Sequence, residues 1–167
     1  KLICDMITGF RDRPYRVIAP VKKLIQNMDV EAPPNVVLTG FLPAHKVNPM
    51  ADVSVIHGGQ NTVMNACLSG TPIVGVGMHP EQQANLDACA RKGFAIRLSK
   101  RTVTAPAVLD AVDRLLNDES AKANVMEFRS ALEQWDGPTN SARFLCETFG
   151  ETQTREAAPT AKVELPT

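Results

Sequence analysis

The sequence predicts an α/β domain built on a parallel sheet with helices on both faces, finished by a helical C-terminal layer. Three observations carry that expectation. Short apolar runs of strand length alternate with helix-length segments, glycine-containing polar clusters stand where two of those runs end, and the chain after Ser99 keeps a helical apolar period. Apolar runs of this kind, separated by helices, indicate parallel β-α-β units rather than hairpins.

Taken in order, the chain opens at Lys1 inside what reads as a helix, and the first strand follows at 15–19. Further strands are expected at 36–41, 53–56, 73–76 and 94–98, with helices near 21–28, 44–50, 61–69 and 80–92. Val108, Ala111, Val112, Leu115 and Leu116 then trace one helical face at spacings of three and four. Val125, Phe128, Leu132 and Trp135 do the same over 120–135, and a last helix is expected over 139–149, after Gly137-Pro138. Phe128 and Trp135 are read as core residues, and these helices as one packed layer of a single domain over 1–150. From Glu151 on, Thr, Glu, Ala and Pro dominate without periodicity, which predicts a disordered tail over 151–167.

With 44% hydrophobic residues in 167, a chain of this length buries a real core. Its 18 basic and 18 acidic side chains cancel, which removes the field that draws nucleic acid or an anionic membrane. No apolar run reaches the ~20 residues of a membrane span and no signal-peptide layout opens the chain, so a cytoplasmic protein is expected. Cys4, Cys67, Cys89 and Cys146 are widely separated, lack a C-x-x-C pair and read as free, buried thiols. Neither they nor the three histidines show metal-ligand spacing, so no metal and no cofactor is expected.

The informative stretch is His57-Gly58-Gly59-Gln60-Asn61-Thr62, where a buried strand ends and a helix begins. Ligands of parallel α/β sheets sit at such strand ends, and the helix N-terminus offers free N–H groups and a positive dipole end to an anion. Paired glycines admit a ligand close to the backbone, Thr62 can cap the helix or donate to a phosphate, and His57 adds a side-chain donor. A second strand end leads through Gly77-Met78-His79-Pro80 into Glu81-Gln82. Both clusters are expected to face one crevice. His45, and the pairs Arg91-Lys92 and Lys100-Arg101, read as solvated.

These residues resemble the nucleotide-sugar glycosyltransferases of the GT-B fold, whose pattern runs H-G-G-x-N-[ST]-x-x-E-A, then G-V-P, then P-x-x-x-D-Q-x-x-N. His57, Gly58, Gly59, Asn61, Thr62, Asn65, Ala66, Gly70, Pro72, Gly77, Glu81, Gln82 and Asn85 fall on it without a gap. The resemblance implies a Rossmann-like domain, the C-terminal half of a GT-B fold, that binds a UDP- or dTDP-sugar for transfer to an acceptor hydroxyl with inversion. It gives the diphosphate to His57, Gly58, Gly59 and Thr62, the base to Phe41 and Leu42, the ribose to Asn65, and the sugar hydroxyls to Glu81 and Gln82, and it counts Asn61 among the residues that bind the nucleotide sugar. It leaves no catalytic residue here, since the general base belongs to an acceptor-binding N-terminal domain or subunit, so the chain alone is expected to be inactive. The domain's own glycine-rich first loop is expected upstream of Lys1.

The sequence departs from the pattern at three places. Asn65 replaces a glutamate that grips the ribose diol, Glu81 replaces aspartate, and Gly77 replaces proline, which is expected to loosen its loop. Two other readings share the architecture: a non-catalytic donor-binding subunit of a two-chain transferase, and a sugar-nucleotide epimerase.

Overall fold

A computed structural model of the chain describes residues 1–150. Helix α1 (Leu2–Gly9) precedes strands β1 (Val17–Ala19) and β2 (Val36–Leu38). A short α2 (Ala44–Val47) runs into a 3-10 turn, Asn48–Met50, and then β3 (Ser54–Ile56), α3 (Gln60–Leu68), β4 (Ile73–Gly75), α4 (Pro80–Arg91) and β5 (Ala95–Arg97) alternate. Helices α5 (Ala105–Leu116), α6 (Glu119–Glu133) and α7 (Gly137–Phe149) complete the described chain. The expected tail over 151–167 lies outside the described residues.

Every strand pair is parallel, as expected, but the single sheet is divided into a β1-β2 pair and a β3-β4-β5 sheet. No ladder joins β1 to β3. The larger sheet is covered on both faces, and β4 shows how. Successive strand residues point to opposite faces. Ile73 is buried with Val63, Cys67, Leu86 and Val125, from α3, α4 and α6. Its neighbour Val74 is buried with Val108, Val112 and Leu115 of α5. Helix α5 also supplies Leu109 to a third cluster around Ile7, Ile25 and Val36, so it holds the two sheets in one unit. An Arg13–Asp113 ion pair and a Tyr15 hydroxyl donating to Asp113 Oδ1 at 3.3 Å fasten the approach to β1 onto α5.

The α5 face matches its sequence period, and its start is set by Thr104, whose hydroxyl accepts from the Ala107 amide at 3.4 Å. Asp118 caps α6 in the same way, accepting from Ala121 N at 3.0 Å. The Cys67 thiol, hydrogen-bonded to Cys89 and buried, is held above its usual range, the state of an unreactive core thiol.

Four expectations need correcting. Residues 21–28 form turns instead of a helix. Lys22 N donates to Thr39 O at 3.0 Å, which ties the segment to the end of β2, and a stretch this short gains little from coiling alone. Pro49 tightens 48–50 into a 3-10 turn, so the helix expected over 44–50 stops at Val47. Helix α6 ends at Glu133, so the period that placed Trp135 in the core stops short of it, and Trp135 is 72% exposed. Cys146 is exposed, whereas Cys67 and Cys89 are buried as expected.

Residues 1–134 form one compact unit and the chain from Trp135 a second. Within the second, Asp136 caps α7 by accepting from Thr139 N at 3.1 Å. Among the described residues, no helix is long and apolar enough to cross a membrane.

Candidate functional site

Strands β3 and β4 run in register with Ile56 opposite Gly75, so the segments leaving their carboxyl ends emerge side by side. Glycines decide what happens next. Gly58 adopts φ +84°, and a Cβ there would lie 2.6 Å from Leu86 Cγ and 2.7 Å from Gln82 O. A Cβ on Gly75 would lie 2.2 Å from Leu86 Cδ2. The fully buried Leu86 thus fills space left by two glycines, and α4 packs tightly against both strand ends. Asn85 completes the joint, its Nδ2 donating to Gly58 O at 3.1 Å and to Glu81 Oε1 at 2.5 Å. The Gly58 turn and the first turn of α4 are one piece.

His57 is exposed, and its ring folds over Gly59, with Nε2 2.7 Å from where a Cβ would stand. Gly59 is the N-cap of α3, which has no side-chain cap. The capping role expected of Thr62 is not met. Its hydroxyl donates back to Gly59 O at 2.7 Å, which leaves the first N–H groups of α3 to an anion or water. Asn61 is exposed and its carbonyl accepts from Asn65 Nδ2 at 2.7 Å, so the amide oxygen of Asn65 remains the group to offer.

The loop into α4 is held rather than loosened by Gly77. That glycine is buried, with Gln83 N 2.8 Å from a would-be Cβ, and Gln83 Nε2 donates to its carbonyl at 3.3 Å. Gln82 Oε1 accepts from Met78 N at 2.9 Å and Lys100 Nζ donates to Met78 O at 2.7 Å. Gln82 therefore keeps its amide donors, and exposed Glu81 keeps one carboxylate oxygen, for a ligand.

Phe41 and Leu42 follow β2 in the other sheet. Phe41 is 93% exposed, an apolar ring presented to solvent with nothing packed on it. Among the described residues no hydrogen bond joins this loop to the β3 and β4 turns. The structure therefore brings together His57, Gly58, Gly59, Asn61, Thr62, Asn65, Glu81 and Gln82, while Phe41 and Leu42 lie on the loop between β2 and α2. A concavity of about 640 Å³, lined by Asp12, Arg13, Arg16, Pro34, Asn35 and Val37, includes none of these residues.

Two residues at the heart of the site escape sequence reasoning. Leu86 resembles any helical leucine, and only its fit against Gly58 and Gly75 reveals it. Lys100 reads as a solvated cation until its bond to Met78 O is seen.

Residues 27–145 match the UDP-glucoronosyl and UDP-glucosyl transferase family. The chain belongs to that family. All candidate site residues, Phe41 to Gln82, fall inside the matched span. Among relatives, the UDP-glycosyltransferase 2 of Phaeomoniella chlamydospora is 35% identical over 139 residues, covering 81% of this chain and 30% of that protein. The NDP-glycosyltransferase YjiC of Bacillus subtilis (strain 168) is 28% identical over 137 residues, covering 81% of this chain and 35% of that protein. The chain thus spans about a third of these family members. Among solved structures, the glycosyltransferase of kitacinnamycin has a TM-score of 0.75 at 25% identity, over 86% of this chain and 37% of that one. The glycosyltransferase VinC in complex with DTDP has a TM-score of 0.76 at 23% identity, over 87% of this chain and 37% of that one. The second of these speaks for the fold alone.

Proposed function

We propose that this chain is the donor-binding part of a glycosyltransferase that moves a sugar from a UDP- or dTDP-sugar to an acceptor hydroxyl. The observation that carries the reading is the joint described above. An uncapped helix N-terminus with His57 above it, and the Glu81-Gln82 pair, are locked side by side through Leu86 and Asn85. An anion-binding end beside a polar pair suits a diphosphate bonded to a polyol. The family match supports the same donor class.

In this reading the diphosphate lies across His57, Gly58, Gly59 and the α3 N-terminus with Asn61, and Thr62 joins it by turning its hydroxyl away from Gly59. Phe41 and Leu42 receive the base, Asn65 the ribose, and Glu81 with the Gln82 amide the sugar hydroxyls. Breaking the sugar–phosphate bond leaves new negative charge on the diphosphate, so donors fixed at the α3 end stabilise the transition state as well as the donor. The general base comes from an acceptor-binding N-terminal domain or subunit. Free Cys67 and Cys89 fit a reducing, cytoplasmic setting.

Calorimetry of this chain with UDP and dTDP tests the proposal, alongside product analysis with donor and mixed acceptors. Weak nucleotide binding without sugar transfer is expected. No binding of either nucleotide, or robust turnover by the chain alone, overturns it.

A further inference from the structure

We infer that Lys100 is a positioning residue for the donor sugar, acting through the Gly77-Met78 loop; the inference rests on the donor-binding reading above. Three side chains hold that loop. Gln83 holds the Gly77 carbonyl and Gln82 the Met78 amide, but both belong to α4 and move with it. Lys100 alone of the three comes from another element, the segment between β5 and α5, and its ammonium takes the Met78 carbonyl at 2.7 Å.

The fastening has a second point farther along. Arg97, the last residue of β5, pairs with Asp87 of α4 at 2.5 Å. Helix α4 is therefore tied to the β5 end of the sheet both in its body and, through Lys100, at the loop that opens it. Glu81 and Gln82 sit on the first turn beyond that loop. Gln82 Oε1 is bound to Met78 N and Lys100 holds the carbonyl of the same residue, across its Cα, so the direction of the Gln82 amide donors follows a residue that Lys100 fixes from the other side. Gln82 is thus aimed, through Met78, from the segment that follows β5.

A bond from an exposed lysine contributes little to folding, since ordering the long side chain offsets most of it. Its consequence falls on aim. Lys100→Met keeps the stem and removes the charge and the donors, and Lys100→Arg restores both.

The test uses this chain and three measurements: amide exchange across Gly77–Gln83, affinity for UDP, and affinity for a UDP-hexose. With methionine, exchange at the Met78 amide should rise while that at 58–62 stays, melting should hardly move, UDP affinity should hold, and the advantage of UDP-hexose over UDP should fall about three- to tenfold. Arginine should recover most of that advantage. Unchanged exchange, or equal losses for UDP and UDP-hexose, overturns the positioning role of Lys100. If exchange rises as expected but the unsubstituted chain binds neither ligand, the donor-binding reading fails, and the role in sugar placement with it.

Discussion

The two sheets of the larger unit are made of the same material, parallel strands of three residues, yet they are finished differently. All of β4 is buried, between α5 on one face and α3, α4 and α6 on the other. In the β1-β2 pair the middle residues Ile18 and Val37 are 44% and 55% exposed, and the buried side rests on α1 and α5. The difference shows at the loops that leave the strands. Gly58, behind β3, is hemmed in by Leu86 and the Gln82 backbone, whereas a Cβ on Gly40, behind β2, would meet nothing within 4 Å. The helix packed against it fixes the Gly58 turn, and the lack of such a neighbour leaves the Gly40 loop and Phe41 open.

That contrast breaks most sharply at a core leucine. Leu86→Ala removes the side chain that both Gly58 and Gly75 accommodate and should cost about 2–5 kcal/mol, whereas Val37→Ala in the open sheet should stay within about 0.5 kcal/mol. Thermal melts of the two variants decide it. Similar shifts would mean that the sheets do not differ in the way described. Next in size, Gly58→Ala imposes a positive φ on a side chain and drives it into Leu86, at a cost of order 3 kcal/mol, with nucleotide binding lost alongside. Gly40→Ala should be neutral or gain a few tenths of a kcal/mol. A Gly58 variant as stable as its Gly40 counterpart would remove the steric case for the joint.

His57→Ala separates binding from folding. The residue is exposed, so melting should not change, while diphosphate affinity should fall by about 1.5–3 kcal/mol, roughly ten- to a hundredfold. A large melting loss with unchanged affinity would make the histidine structural. Phe41→Ala should likewise spare stability and weaken nucleotide binding by about 1–3 kcal/mol if the ring stacks on a base.

How much the sequence revealed follows the same divide. The five strands, α3, α4 and α5 were legible because burial on a face imposes a period, and the His57–Asn85 spacing was legible through its resemblance to the glycosyltransferase pattern. Strand ends came out shorter than their apolar runs: at β5 the paired residues are Ala95–Arg97, while Phe94 O and Leu98 N on either side still bond to Ile73 N and Gly75 O of β4. The turns over 21–28 were hidden, because a bond from Lys22 N to Thr39 O leaves no mark in local composition. So were Leu86 and Lys100, whose roles depend on partners eleven to twenty-eight residues away.

The smallest effect concerns Asn65, where the chain departs from the family pattern. It lies one helical turn beyond Asn61, to whose carbonyl its Nδ2 donates, so it shares the face that carries Asn61 at the site. Asn65→Glu gives up that bond, which water replaces at this partly exposed position, and supplies two acceptor oxygens for a ribose diol. The gain in nucleotide affinity should be of order 1 kcal/mol. Charge bears on it as well: the diphosphate repels the carboxylate, and solvent screens that repulsion. A 2′-deoxyribose nucleotide has one hydroxyl of the diol to offer and should gain less, so the ratio of the two affinities reports the diol while the charge effect cancels. If that ratio does not move, Asn65 does not face the ribose. If it moves toward the deoxy form, asparagine already suits a deoxynucleotide sugar, and dTDP rather than UDP is the donor's nucleotide.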